Sequence, residues 1–401
     1  MDAYLLDWVN LLLRWAHVIV AIAWIGSSFY FVFLDNSLTP PDDADLKRKG
    51  VDGELWAVHG GGFYHPQKYM VAPKQIPANL HWFYWESYST WLTGFALFTV
   101  LYLYQASTFL IDKSVHAWSP GAAIAAAIAF LVVFWLAYDA VCRLFGGRRG
   151  GDRIVGAGVA ALVVLASWLA CQLFAGRAAF LLVGAMMATA MSANVFFWII
   201  PGQRKVMAQL KAGLAVDPLH GQRAKQRSVH NTYFTLPVLV AMLSNHYGFL
   251  YSARHNWLAL VLLMLAGALI RHAFVARHKA LVQGRRVPWE YAGGGVLALL
   301  VVAVSLAPAV PSASASAAAA EPVRFADVRA VVAQRCVMCH NEQLASKSMQ
   351  LHTPALIAQH AQQVYQQAVV LKAMPLNNAT GITDAERALL ARWYSQGAPA
   401  N

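Results

Sequence analysis

Eight long apolar stretches, each nearly free of charge, constrain this chain more than any other feature. They lie at about 8–34, 86–106, 119–142, 154–175, 178–200, 229–251, 257–275 and 288–308. A helix needs roughly 20 residues to cross a hydrocarbon core of about 30 Å, and backbone in lipid must satisfy its own hydrogen bonds. The expected fold is therefore all-α, a polytopic membrane bundle of eight transmembrane helices over residues 1–307. Composition agrees: 58% of the 401 residues are hydrophobic and only 12% are charged, where soluble proteins carry about 25%. The first stretch does not read as a cleaved signal, because Asp2 and Asp7 replace the basic leader and no small-residue cleavage site follows.

The formal charge of +12 would suit a nucleic acid or an acidic membrane surface, so the position of the basic residues has to decide. Nineteen of the 31 lie in the connections after helices 1, 3, 5 and 7, among them Lys47, Lys68, Arg148, Arg204, Lys225 and Arg285. The connections after helices 2, 4 and 6 hold only Lys113, Arg177 and Arg254. Lys and Arg collect on the cytoplasmic side of membrane proteins. Both chain ends are then periplasmic, the loop from 35 to 85 is cytoplasmic, and the charge sets topology, leaving no case for nucleic acid as a partner.

Composition changes after helix 8. Residues 308–321, PAVPSASASAAAAE, read as a Pro, Ser and Ala linker. The last stretch, 322–401, has ordinary polarity and contains Cys336-Val337-Met338-Cys339-His340. C-x-x-C-H attaches a c-type haem: two thiols form thioethers to the porphyrin, and the adjoining His binds iron. A redox pair or half a zinc site is the plainer alternative, but the stretch holds no second Cys pair to complete a zinc site. Met374, 34 residues after His340 and followed by Pro375, is the expected second iron ligand; Met349 is its rival. An apolar stripe of Phe325, Val328 and Val332 leads into the motif. Thr383 and Glu386 form a capping box that starts a closing helix carrying Leu389, Leu390 and Trp393. Haem c attachment outside the cytoplasm agrees with the topology.

One anchor would serve a cytochrome, so seven further helices need a purpose. Arg14, His17, Glu86, Asp139, His230, His246, Arg271 and His272 are costly to bury in a membrane. Arg14, Asp139 and Arg271 are discounted as groups able to reach the interface, and Cys142 and Cys171 as small apolar fillers. His17 and His246 fall in the periplasmic half and His230, His272 and His81 near the cytoplasmic face, two tiers at which haem b could be held. Helix-packing histidines are the equal alternative. His230 and His246, 16 residues apart on one helix, differ by about 160° in direction and cannot share a haem. The loop segment 55–87 is rich in aromatics, His, Gly, Lys, Gln and Asn, which suits a flat anionic heterocycle; an interfacial aromatic belt explains the composition as well. Gly156 to Ala161 matches G-x-G-x-x-A but lies inside a membrane helix, with no strand before it.

HGGGFYHPQKYMVAPKQIPANLHWFYWESYSTWLTGF, FFWIIPGQRKVM, HNTYFTLPVLVAMLSNHYGF and the tail RCVMCH with KAMPLNNATGITDAERALLARWY together resemble the membrane-bound, cytochrome-c-fused urate oxidase (urate hydroxylase) family. Helix 1 is also similar, over a short stretch, to the first helix of small haem b membrane proteins. The family resemblance implies a bacterial inner-membrane enzyme with a small periplasmic class I-type cytochrome c domain at 322–401. It implies oxidation of urate to 5-hydroxyisourate in purine breakdown, with electrons passing through haem c, held by Cys336, Cys339, His340 and Met374, toward a periplasmic cytochrome c or terminal oxidase. On that reading urate binds near the 56–86 loop and the Asn231–Tyr233 entry of helix 6. His65, His81 or Glu86 is the base, and Lys68, Lys74, Gln75 and Asn79 are binding candidates. A quinol-to-cytochrome c electron-transfer protein is the competing reading. A transporter with a fused redox domain is disfavoured because no repeat is visible, and a haem-copper oxidase because adjacent His-His ligands are absent.

Overall fold

A computed structural model describes residues 2–70, 72–307, 322–346 and 349–400. The expected linker at 308–321 lies outside the described residues. Each apolar stretch is built on a helix. α1 is Asp2–Ser37, and the short α2, Ala44–Lys49, starts the first long connection. α3, Trp85–Phe98, continues through a π-helical turn at Thr99–Leu103 into α4, Ala106–Phe109. α5 is Pro120–Phe145, α6 Gly151–Leu173 and α7 Gly176–Asn194; a π turn, Val195–Ile199, joins α7 to α8, Ile200–Lys211. α9 is Pro218–Leu243, α10 Gly248–Tyr251, α11 Asn256–Val282 and α12 Trp289–Ser305. Between α2 and α3 lie two short antiparallel pairs, Gly53–Glu54 with Gln67–Lys68 and Ala57–His59 with Gly62–Tyr64.

Among the described residues, five helical stretches are long and apolar enough to cross a membrane: Tyr4–Ser37, Pro120–Phe145, Gly151–Leu173, Gly176–Lys211 and Asn256–Val282. The other three expected spans fall short for separate reasons. α3 is only 14 residues before its π turn, α12 is 17, and α9 has a polar first half. α9 also corrects the expected boundary of 229–251. Asp217 caps it through the Leu219 N–H and Pro218 occupies its first turn, so it begins in the polar sequence HGQRAKQRS and ends at Leu243. His246 therefore lies beyond the helix, exposed in a 3₁₀ turn, and the angular relation expected between it and His230 does not apply.

α7 is the central post of the bundle. Ala178, Ala179, Phe180, Leu182, Val183, Met186 and Ala190 on it are fully buried, and it packs against α5, α6 and α9. Its small residues allow close approach: a Cβ on Gly184 would stand 3.1 Å from that of Ala241. The connections gather at two ends. At the basic end, Lys68 and Lys225 both reach Asp35 at the foot of α1, and Gln226 donates to Asp152. At the other end, Ala175 N–H donates to the Leu110 carbonyl and the Trp118 indole to that of Leu173.

Near the basic end, Asp139 is buried and accepts hydrogen bonds from Arg227 (2.7 Å) and the Trp198 indole (2.8 Å), and pairs with Arg143 (2.6 Å). Asp139 is 5% exposed and Arg227 3%. This corrects the interfacial reading of Asp139, and likewise that of Arg271, which is 7% exposed; Arg14, exposed and bonded to Asn10, fits it. Cys142 and Cys171 are buried free thiols, and the Gly156–Ala161 motif lies inside α6.

The last stretch has a core of its own. α13 is Phe325–Arg335, α14 Pro354–Gln359 and α15 Ala361–Val364, followed by a π turn at Tyr365–Val370 and by α16, Asp384–Ser395. The Thr383–Glu386 capping box is present. Val328, Val332, Leu390 and Trp393 are wholly buried, with Leu389 packed against them.

Replacing Asp139 with Ala leaves Arg227 buried without its counter-ion. The expected cost is about 3–5 kcal/mol, read as a fall in the thermal unfolding midpoint of the purified protein; an unchanged midpoint would show that Arg227 finds another partner.

Candidate functional site

A cavity of about 890 Å³ opens at the basic end between α1, the segment before α3, the π turn and α8 after α7, and the first half of α9. Trp24, Phe31, Trp82, Phe83 and Tyr233 give it aromatic walls, and Ser27, Ser28, Asn36, Gln203, Ser228 and Asn231 give it hydrogen-bonding groups. Glu86 also lines it, and the Glu86 Oε2 atom is buried with no hydrogen-bond partner. Glu86 stands in the first turn of α3, where the helix dipole favours a carboxylate. At the rim, Asp35 binds Lys68 Nζ at 2.6 Å and Lys225 Nζ at 3.1 Å. Two cations share one anion, so this edge keeps a net positive charge.

Of the expected site residues, the structure brings His81 and Glu86 to the cavity, with Asn231, Thr232 and Tyr233 from α9 opposite. Lys68 stands at its rim through Asp35. His65 is placed elsewhere: it stacks on Trp56 with centroids 4.0 Å apart and lies 2.5 Å from Glu54 Oε2. Its partners are local, and it does not line the cavity. Lys74, Gln75 and Asn79 are exposed and do not line it either. Asp35 and Lys225 were missed, although an acid ending an apolar stretch next to basic connections is a signal that could have found Asp35.

The membrane histidines go to separate partners. His17 Nδ1 is 3.1 Å from Thr93 Oγ1. The Thr93 hydroxyl already donates to the Ser89 carbonyl at 2.7 Å, so His17 donates through Nδ1 and Nε2 keeps its lone pair. His230 Nδ1 is 2.8 Å from the Tyr138 hydroxyl, which itself accepts from Asn194. His272 Nδ1 is 2.7 Å from the Tyr233 hydroxyl, and its ring meets Tyr291 edge-on. Each of these three rings thus sets Nδ1 against a hydroxyl on a neighbouring helix, while His246 stands in an exposed turn.

The Cys336–His340 turn follows α13 directly. Cys339 N–H and His340 N–H both donate to the Cys336 carbonyl, at 3.1 and 3.0 Å. His340 Nδ1 lies 3.2 Å from the Met349 carbonyl oxygen. A carbonyl can only accept, so the proton sits on Nδ1 and Nε2 is free to bind a metal. Burial pushes the Cys336 thiol up to about 11, with Arg387 pulling the other way; a dithiol redox pair has the reverse, a depressed and accessible thiol. Arg387 also donates to the carbonyls of Met374 (2.9 Å) and Ala368, so one side chain ties the Met374 loop to the π turn at Tyr365–Val370. Arg335 adds a second tie, to Glu386 and the Thr380 carbonyl. Met349 packs against the core of this unit. Two thiols, an imidazole with Nε2 free and a thioether in an anchored loop fit a c-type haem. Among the described residues no group of three or more His, Cys, Asp or Glu is placed to hold a metal ion.

The Met374 loop rests on the bundle at the end away from the cavity. Asn377, at φ 49°, donates through Nδ2 to the carbonyls of Thr108 (2.7 Å) and Phe109 (3.0 Å), the last residues of α4. Gly248 at the start of α10 faces Ala373, and a Cβ there would stand 3.1 Å from the Ala373 Cβ.

Comparison with known proteins gives one family: a model described as urate oxidase N-terminal matches residues 3–307. The match ends where the composition changes. No curated protein and no solved structure matches the chain.

A Cβ on Gly94 would stand 2.7 Å from His17 Cε1. Gly94→Ala is therefore expected to cost about 1–3 kcal/mol by overpacking, and His17→Ala to relieve most of that in the double variant. Strictly additive losses in thermal unfolding would show that the two do not meet.

Proposed function

The chain belongs to the urate oxidase N-terminal family, and from that premise we propose that it is a membrane-bound oxidoreductase converting urate to 5-hydroxyisourate. The observation that carries this reading is the cavity at the basic end, with aromatic walls, a positive rim and the unpartnered Glu86 Oε2. Urate is flat and anionic near neutral pH. Aromatic walls suit its faces, Lys68 and Lys225 draw it in, and amide and hydroxyl groups such as those of Asn36, Gln203 and Ser228 suit its carbonyls and N–H groups.

The reaction balances as urate plus water giving 5-hydroxyisourate, two protons and two electrons. Glu86, with a free oxygen in the cavity, accepts a proton from a urate N–H and so raises the electron density of the ring. Once two electrons have left the ring, water adds at C5 of the oxidised product, and His81 at the mouth takes the proton released by that water toward the solvent. A c-type haem, when bound by Cys336, Cys339, His340 and Met374, supplies a one-electron acceptor that is filled twice per urate. On the positive-inside rule the cavity faces the cytoplasm and residues 322–401 the periplasm of a bacterial inner membrane, at opposite ends of the bundle. A periplasmic cytochrome c or a terminal oxidase is then the next acceptor.

Urate added without oxygen to membranes containing the protein is expected to reduce the haem c spectrum, and quinol is not; reduction by quinol alone would establish the electron-transfer reading instead. Glu86→Gln keeps the shape of the cavity and removes the base, and is expected to lower kcat by about 10²–10⁴-fold. A rate within twofold of the parent would assign the base elsewhere.

A further inference from the structure

A second cavity, of about 500 Å³, opens between α1, α9 and α11. Its lining is Phe29, Phe33, Leu236, Ile270 and Phe274, with two basic side chains, Arg271 and His278. No acid lines it. Arg271 is 7% exposed, its guanidinium carbon lies 3.6 Å from the centroid of the Phe29 ring, and its Nε and Nη2 atoms are buried without a hydrogen-bond partner. Those two nitrogens share one edge of the planar guanidinium, the edge that makes two parallel hydrogen bonds to a carboxylate or phosphate. The contrast with Arg227 is direct: equally buried, it has Asp139 at 2.7 Å.

A buried cation with a free bidentate edge is costly unless an anion meets it, and the described residues offer none here. The walls say what kind of anion. Phe29 and Phe33 are one turn apart on α1 and Phe274 is one turn from Arg271 on α11, so the apolar surface runs along the helix axes, and Phe274 is 47% exposed on the outside of the bundle. Toward the basic end the same stretch of α11 carries Arg277, His278 and Lys279, with Arg277 about 9 Å along the axis from Arg271. A polar head therefore meets cations from Arg271 outward, past the rings of Phe33 and Phe274, and its tails run inward from Arg271 along Leu236 and Ile270.

We infer that this slot binds an anionic phospholipid, its phosphate on the free edge of Arg271 and its acyl chains running inward along Phe29, Leu236 and Ile270. The inference rests on the bundle lying in a bilayer. It assigns Arg271 to a lipid site separate from the urate cavity.

The test uses the full chain, purified in detergent and stripped of lipid, then offered phosphatidylglycerol, phosphatidylcholine or inorganic phosphate alone, with bound lipid counted by native mass spectrometry. Phosphatidylglycerol is expected to be retained about tenfold over phosphatidylcholine, and Arg271→Met to lose that preference while still binding phosphatidylcholine. Thermal unfolding separates the two accounts of the arginine. If Arg271 is simply unpaired, R271M is more stable than the parent in both lipids; if lipid pairs it, phosphatidylglycerol raises the Tm of the parent and leaves that of R271M unmoved. Equal retention of the two lipids by the parent, an undiminished preference in R271M, or a Tm rise reproduced by inorganic phosphate without lipid would overturn the proposal. Recovery of the chain in the soluble fraction without detergent would instead remove the bilayer reading beneath it.

Discussion

A charge among apolar helices must be met by a partner, and the way each buried charge is met organises this molecule. Asp139 is met in full: two arginines and an indole converge on it from α5, the π turn after α7 and α9. The network extends through Asn194 to Tyr138 and Asn231, fixing the packing of α9, which carries Asn231 and Tyr233 into the cavity. Glu86 Oε2 and the free edge of Arg271 are not met by the chain. Both of these unmet groups line cavities, whereas the fully paired group lies in solid packing. The difference separates ions that hold the fold from ions that await something else.

Each unmet group also sits among walls that fit a different guest. Around Glu86 the rings alternate with hydroxyl and amide groups and the rim carries lysines, an environment for a small polar ring. Around Arg271 the walls are phenyl and aliphatic, an environment for hydrocarbon with one anionic head. The carboxylate accepts a proton or a hydrogen bond and the guanidinium only donates, so the two cavities cannot exchange guests.

Much of this was legible before the structure. The length of the apolar stretches marked the helical bundle, and five of the eight expected spans are long and apolar enough among the described residues, because apolar length is a local property of sequence. The capping box at Thr383 is a short-range pattern, and it is formed as expected. Long-range pairing was not legible. Asp139 and Arg271 looked alike as single charges in apolar stretches, yet one has its counter-ion on a helix 88 residues later and the other has none, and nothing in the neighbouring residues distinguishes them. His65 looked as good a base as His81 by composition; the local fold that stacks it on Trp56 and sets it on Glu54 removes it from the cavity. The start of α9 was missed because its first half is polar, while the cap that begins it, Asp217-Pro218, lies outside the apolar stretch.

The cavity and the Met374 loop lie at opposite ends of the same helices. α3 begins beside Glu86 and leads into α4, on which Asn377 rests. α9 begins at the cavity and ends just before α10, which touches Ala373. A 26-residue helix such as α9 is about 39 Å long. In the proposed reaction, protons and electrons therefore leave the cavity by different routes. Protons have a short path, through Glu86 and His81 to a mouth edged with exposed side chains. Electrons destined for the Cys336–His340 motif have the length of the bundle to cover. Docking by Asn377 shortens only the last part of that path, by setting the loop that carries one candidate iron ligand directly on α4 without a solvent gap. Under the proposed function the bundle is thus more than an anchor, because it separates the two products of one oxidation.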